Sequence, residues 1–395
     1  MSNSPKTPQN KLTFYQDQEI SLKRLLGNPF EIGFQIGQIL RQKRQWIRSL
    51  PPVESDTTDV IVIRDYLESY DPSLLDEIAG LASALGWEFS DAMIYFTGWN
   101  VMQRIKSFRQ RNFQACTHFF LPSSTVGSNE PYLCRNFDFF YNFADRLFFE
   151  IPGNIRASTA GMSHQIVGRA DGVNSHGVAC SNSITTSAGL PPKGFSHPIL
   201  TRIVLDCSHD AEEGIEILHT LPQSTSINYL IADQSGTAYV FEQSKKKSAV
   251  REMSSKLGIV ATNHITSKDL QDKWSRPSAT SGERYDYITS LLQKNQGYWS
   301  LESIQNTLQT HTPQVCDHAL HKGVATLWSI IYNLKSFKIW INPGQPCINE
   351  YREFHLFPLE NQVISGVYES AGHCGYRLLE KHHKLLYEAT YLKRL

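Results

Sequence analysis

Apolar positions along this chain follow two registers, and the change from one to the other divides it. From Ile20 the spacing reads as helical. GNPFEIGFQIGQILRQKRQWIRSL carries Ile32, Phe34, Ile36, Ile39 and Leu40 behind a proline and ends in a basic, amphipathic stretch. VIVIRDYLESYDPSLLDEIAGLASALG continues the pattern and splits at Asp71-Pro72, because a residue before proline is pushed out of the helical region. A third helix is predicted over Ser90 to Lys106, with Ser90 as its N-cap. Residues 1–12 read as a disordered lead-in, and residues 20–108 as mostly helical.

After that the register shortens to two. CTHFFLPSSTVGSNEPYLCRNFDFFYN, Cys116 to Asn142, predicts a β-hairpin whose strands are CTHFFL and YLCRNFDFF. PGNIRAS and QIVGRADGVNSHGVACSNSI predict further strands, and residues 196–222 a helical segment clearest in HDAEEGIEILHTL. SINYLIADQSGTAYVFEQS predicts a hairpin turning at Asp233–Gly236. A strand at LGIVATNHI, helices around ERYDYITSLLQK and from Ser300, and strands in VATLWSIIYNLKSFKIWIN follow. Helices and hairpin-joined strands alternate with few βαβ units, which places the chain in the α+β class with antiparallel sheets. A boundary falls at 108–116.

Composition narrows the function classes. A chain of 395 residues has room for a substantial core, and 41% hydrophobic with 19% charged residues is a globular balance. Lys+Arg and Asp+Glu are 38 each, so no basic face is offered to nucleic acid. No apolar run has the roughly 18–20 residues of a membrane span, and the polar N-terminus lacks a secretory h-region. Seven scattered cysteines fit reduced thiols in the cytoplasm.

The chemistry concentrates on the first hairpin. Cys116 opens one strand, and Arg135, Asn136 and Asp138 crowd the other, where charges are costly to bury unless paired. A thiol in such a pocket is expected to have a lowered pKa and to act as a nucleophile. The competing reading is a packed cysteine beside a structural Arg–Asp pair. Asn174 reads as a turn residue near positive φ. Asn182 reads as a turn residue or an oxyanion donor, and Asn263 as an amide donor at a strand end. Arg284 reads on its own as a solvated helix residue, and His118, His176 and His264 are possible bases. Cys316, His318 and His321 have metal-ligating types, but their string lacks a fourth partner, so neither metal nor cofactor is expected.

Taken in order, these segments resemble the N-terminal-nucleophile (Ntn) hydrolases, in the branch of isopenicillin N acyltransferase-like proteins and choloylglycine hydrolases. GNPFEIGFQIG is similar to the family's G-x-P-x-E-x-G-x-x-x-G opening, and EIAGLASALGWEFSDAMIYFTGWN to the segment that follows it. ACTHFF is similar to the processing site and RNFDF to R-N-x-D-[FW]. GVNSHGVACSNS, LIADQSGTAYVFE, ATNH, SGERY, and ATLWSIIYNL with NPGQPC come in family order, so the resemblance covers nearly the whole chain.

The resemblance implies a four-layer αββα sandwich over 116–395, preceded by a helical pro-segment or small subunit, 1–115. It implies self-cleavage between Ala115 and Cys116, with Cys116 as nucleophile and its released α-amine as base. Arg135 and Asp138 would orient amine and thiol, Asn182 and Asn263 would donate to the oxyanion, and Arg284 would stabilise the charged cluster. Phe139 and Phe140, in the run 139–143, are candidate acyl-pocket residues. The implied partner is a small-molecule linear amide or acyl donor, attacked through a thioester whose acyl group goes to water or an amine, and the two cleaved fragments are candidates to remain associated. Two alternatives stand beside this: a non-catalytic binding or structural member of the fold, and an uncleaved Cys–His thiol hydrolase using His118.

Overall fold

A computed structural model describes residues 13–42, 56–99, 116–140, 145–153, 156–185, 192–245, 247–253, 256–271, 278–295, 298–319 and 323–371. Two sheets lie at its centre. Sheet A has nine strands in the order β10-β9-β8-β7-β6-β5-β4-β1-β15, and sheet B six in the order β11-β2-β3-β12-β13-β14. In chain order the strands are β1 (Thr13–Arg24), β2 (Thr117–Leu121), β3 (Tyr132–Phe140), β4 (Leu147–Ile151), β5 (Thr159–His164), β6 (Gly168–Asn174), β7 (Ala179–Ile184), β8 (Ile227–Ala232), β9 (Ala238–Gln243), β10 (Ser248–Glu252), β11 (Ile259–Ala261), β12 (Val324–Asn333), β13 (Lys338–Asn342), β14 (Arg352–His355) and β15 (Gln362–Ala371). Every pairing is antiparallel except β1 with β4.

Three apolar clusters define four layers. The middle one joins Phe120, Leu133 and Phe137 of sheet B to Phe148, Met162 and Leu230 of sheet A, so the sheets face each other. The second packs helices on the outside of sheet A: α1 (Pro29–Gln42), α2 (Thr57–Tyr70), α3 (Ser73–Leu85), α4 (Phe89–Thr97), α5 (His197–Cys207) and α6 (Ala211–Thr220). The third packs α7 (Ala279–Lys294) and α8 (Leu301–Leu308) on the outside of sheet B. The expected αββα sandwich is the architecture found.

Most predicted elements form, with instructive differences. The helical reading from Ile20 is corrected: Thr13–Arg24 is a strand paired with Gln362–Ala371. Ile20 and Leu22 are fully buried, an alternation hidden because the partner strand lies more than 300 residues away in sequence. The helix expected over Ser90 to Lys106 starts at Phe89 after Glu88, so Ser90 is not its cap, and it runs to Thr97 with Gly98 in the left-handed region as its C-cap; residues 100–106 of that expectation lie outside the described residues. PGNIRAS forms no strand in its described residues and connects β4 to β5. The break at Asp71-Pro72 is present, between Tyr70 and Ser73.

The glycines of GNPFEIGFQIG have a packing reason. A Cβ on Gly33 would lie 1.9 Å from the Glu77 carbonyl oxygen, and one on Gly80 1.9 Å from that of Phe30. Helices α1 and α3 therefore meet backbone to backbone. The buried face of α3 also presents Glu77, which Arg202 of α5 grips with both Nη atoms at 2.6 and 2.7 Å. Asp206 takes Arg202 Nε at 3.3 Å and Arg156 Nη1 at 2.7 Å, and Asp71 takes Arg156 Nε at 2.9 Å. The residues before Cys116 thus supply both a strand of sheet A and helices bolted to its outer face.

Candidate active site

Cys116 stands immediately before β2, at the end of a central strand of sheet B. The β2–β3 register pairs Thr117 with Asn136 and His118 with Arg135. Continued past Thr117, it carries the amide side of Cys116 towards Phe137 and Asp138. Side chains on β3 alternate between faces. Arg135 and Phe137 belong to the inter-sheet side, whereas Asn136 reaches the outer layer and donates to the Leu308 and Val315 carbonyls at 2.8 and 2.9 Å.

The thiol is 6% exposed. It donates to the Asp138 carbonyl at 3.5 Å, and Arg135 Nη2 lies 3.8 Å from Sγ. Arg135 also donates from Nη1 to the Ala170 carbonyl and sits 3.5 Å from Asp171 across Nε. Asp171 is held in turn by Trp328 Nε1 at 3.2 Å and the Tyr332 hydroxyl at 2.6 Å. Phe137 stacks on Trp328 with centroids 4.0 Å apart, and the Arg135 guanidinium lies over the Phe137 ring.

Burial wins over charge at the thiol. Desolvation pushes Cys116 above the ordinary thiol range, and the opposing pull of Arg135 does not overcome it. The expected lowering of its pKa is therefore corrected: in the intact chain this is a protonated thiol that needs a base. Asp138 is 2% exposed, and burial with the nearby Asp317 carboxylate pushes its carboxyl well above the usual range. Thr326, Arg284 and Arg135 pull the other way, yet neither carboxyl oxygen accepts a well-aligned hydrogen bond.

Arg284 is fully buried on α7, contrary to a solvated helix face. Its Nη1 donates to the Cys116 carbonyl and to Thr117 Oγ1, its Nη2 to Asn263 Oδ1 at 3.1 Å, and its Nε to the Thr280 carbonyl. Asn263 follows β11 and is fixed by its backbone N–H donating to Ser281 Oγ at 3.0 Å. Its side-chain amide donates to the Ile184 carbonyl at 3.0 Å, which leaves a second amide hydrogen. Asn182 is differently placed. Its amide donates to the Ala170 carbonyl at 3.0 Å and to Thr201 Oγ1 at 2.8 Å, so both hydrogens are engaged, one on the carbonyl that also anchors Arg135.

The remaining candidates separate. His118 has both ring nitrogens on β7, with Nδ1 2.7 Å from Ser181 Oγ and Nε2 3.0 Å from Ser183 Oγ, and burial holds its pKa well below normal. It is a satisfied core histidine and makes no contact with Sγ that would support a Cys–His pair. His264 bonds Thr262 and Ser281. His176 stacks near His209. Asn174 is corrected as a positive-φ residue. That geometry falls on Gly177, while the Asn174 side chain bonds the backbone of His176, Val178, Leu205 and Ser208. Phe139 packs at Phe137 and His164, and Phe140 takes the opposite face. Ala115 and 141–143 lie outside the described residues.

Sequence reading missed Asp171, Thr326 and Asp317. An aspartate between Ala170 and Gly172, inside a stretch that reads as a strand, was the available signal for the first. The other two needed the fold. The absence of a fourth partner for Cys316 and His318 is also corrected: His311 and Cys347 join them, whereas His321 lies outside the described residues.

Two facing sheets between helical layers, with a cysteine opening a central strand, define the Ntn-hydrolase class. The model of the acyl-coenzyme A:6-aminopenicillanic acid acyl-transferase family matches residues 125–347, and the chain belongs to that family. It is an enzyme of the amide-hydrolysing or acyl-transferring kind. The chain is also similar to a mutant form of conjugated bile acid hydrolase from Clostridium perfringens, at 15% identity and TM-score 0.44, over 64% of this chain and 96% of that one. Penicillin V acylase from Agrobacterium tumefaciens is similar at 12% identity and TM-score 0.44, over 63% and 90% respectively. A Caenorhabditis elegans N-acylethanolamine-hydrolyzing acid amidase ortholog is similar at 12% and 0.41, over 55% and 93%. Comparison with curated protein sequences gives no match. Among the described residues no helix is long and apolar enough to cross a membrane.

Proposed function

We propose that the chain cuts itself before Cys116 and then works as a cysteine amidohydrolase or acyltransferase on a linear, non-peptide amide. The observation that carries this reading is the buried Asp138 carboxyl, whose two oxygens accept no well-aligned hydrogen bond. A buried acid without a well-aligned hydrogen-bond donor is costly, and the register brings it beside the amide side of Cys116, where cleavage would release an ammonium group.

In self-cleavage the Cys116 thiol attacks the Ala115 carbonyl. The C–N bond breaks in favour of a thioester as the thiol proton passes to the departing Cys116 nitrogen, and water then hydrolyses the thioester to release the Ala115 carboxylate and the thiol. The new α-amine has an ordinary pKa of about 7.7–8.0, so it can take the thiol proton near neutrality, which the raised thiol pKa demands. Attack on the substrate carbonyl forms a C–S bond and a tetrahedral oxyanion, for which the second amide hydrogen of Asn263 is the donor. Collapse breaks the C–N bond, and the departing amine takes the proton held by the α-ammonium. Water or an acceptor amine then attacks the thioester, gives its proton to the α-amine, and returns the thiol.

Arg284 holds the Cys116 carbonyl and Asn263 together, and Arg135 steers Sγ. Asn182 is assigned a positioning role through Ala170. Phe139 is the better placed of the two phenylalanines for an acyl chain, being half-buried on the inter-sheet face. The strand β1 and the Glu77–Arg202 grip favour a cleaved residue 1–115 piece that stays bound. Six unpaired cysteines among the described residues support a reducing, cytoplasmic setting.

The intact mass of denatured protein tests this, wild type beside Cys116→Ala. Two pieces divided at Ala115–Cys116 are expected from the wild type and one chain from the variant, with amide turnover reduced on the order of 10⁴-fold or more. A wild type that remains one chain after prolonged incubation would overturn the reading.

A further inference from the structure

The connection after α8 and the turn after β13 come together on one side of sheet B. His311, Cys316 and His318 belong to the first and Cys347 to the second, and one ligand atom from each lies within 4.8 Å of the others. Cys316 Sγ is 3.7 Å from Cys347 Sγ and 3.5 Å from His318 Nε2, and His318 Nε2 is 3.0 Å from Cys347 Sγ. A tetrahedral zinc ion with Zn–S of about 2.3 Å and Zn–N of about 2.0–2.1 Å sets ligand–ligand edges of roughly 3.3 Å (N–N) to 3.8 Å (S–S), with S–N at about 3.5 Å. The Cys316 separations match those edges, and a disulfide would need the sulfurs at about 2.05 Å.

We propose that His311, Cys316, His318 and Cys347 form a structural site for a zinc-type divalent ion. Two thiolates and two imidazoles are the donor set that selects zinc among common divalent metals. Burial grades from Cys316, which is enclosed, to His311, which is exposed, so the site opens to solvent on one side for entry.

Two independent features show that these loops are built to meet. Fully buried Gln345 donates from Nε2 to the Asp317 carbonyl at 3.2 Å, stitching the turn to the connection. Asp317, between two of the ligands, donates its backbone N–H to Thr326 Oγ1 at 2.8 Å and accepts from Thr326 N at its carbonyl. Thr326 is paired with Asp138. The ion therefore fixes the wall behind the Asp138 carboxyl without touching the reacting atoms.

Metal analysis of the full chain, purified under reductant and without chelator, is expected to give about one zinc per chain, falling to about a tenth or less in Cys347→Ser. Because that variant can lose its fold, the deciding measurement is on the wild type. Chelated wild-type protein titrated with Co²⁺ should develop the intense visible bands of tetrahedral cobalt and a thiolate charge-transfer band, saturating at about one equivalent. Folded, reduced wild type that gives only the weak spectrum of hydrated cobalt would overturn the proposal. So would a Cys316–Cys347 disulfide trapped by alkylation at lysis. Neither readout involves turnover, so the site stands or falls apart from the reading of Cys116.

Discussion

Arg202 and Arg135 are both fully buried guanidinium groups, and they are served differently. Arg202 has a carboxylate on each edge, bidentate Glu77 and Asp206, plus the Val167 carbonyl. Although burial opposes its charge, the two carboxylates hold its proton more firmly than normal. Arg135 has one carbonyl, a distant thiol, and Asp171 at 3.5 Å without a well-aligned bond, while the neighbouring Asp138 has no such bond at all. Breaking a buried ion pair strands a charge, whereas an unfilled site already carries its cost in the native state. The first cluster is spent on holding the N-terminal helices to sheet A. The second leaves buried polar atoms without well-aligned partners, which is what the proposed release of an amine at Cys116 would use.

Substitutions should pull the two clusters apart. Asp138→Asn keeps the shape and removes the unpaired acid. Self-cleavage and turnover are expected to fall about 10²–10⁴-fold, while the urea midpoint stays within about 1 kcal/mol of wild type. A large loss of stability would make Asp138 structural. Glu77→Ala should do the reverse, costing about 3–5 kcal/mol by stranding Arg202. The kcat of the protein still folded should hold within about a factor of two, and loss of turnover without loss of stability would break the contrast.

Acid titration gives the smallest and sharpest comparison, read as urea midpoints over a pH series. Asp138 has a folded pKa above its ordinary 3.8, so its contribution is present below that value and is lost as pH rises. In the uncleaved Cys116→Ala background, the chain that keeps Asp138 should therefore lose stability relative to its Asp138→Asn counterpart on going upward from about pH 3.8. Burial alone would raise Asp206, but Arg202 and Arg156 outweigh it and its pKa is lowered. Its contribution is present above 3.8 and is lost on acidification. The advantage of wild type over Asp206→Asn should shrink as pH falls below that value. Parallel slopes for the two variants would contradict the difference drawn between the clusters.

Much of the molecule was decided by short-range pattern. The hairpin from Cys116, the split at Asp71-Pro72, the α7 and α8 helices and the β8–β9 turn follow from alternation, proline and cap chemistry within a few residues. The candidate nucleophile and the Arg135, Asp138, Asn263 and Arg284 set were readable because each is a polar residue out of place on an apolar element or part of a recurring motif. The tertiary structure alone decided the rest. β1 is a strand because β15 closes on it from the far end of the chain. His311 and Cys347 join Cys316 and His318 only when two turns meet. The Cys116 thiol is raised rather than lowered because its pKa depends on how much water the fold removes, a quantity with no local code. Periodicity fixes which face of an element is buried; which distant groups share that burial depends on chain closure, and the chemistry of the site depends on both.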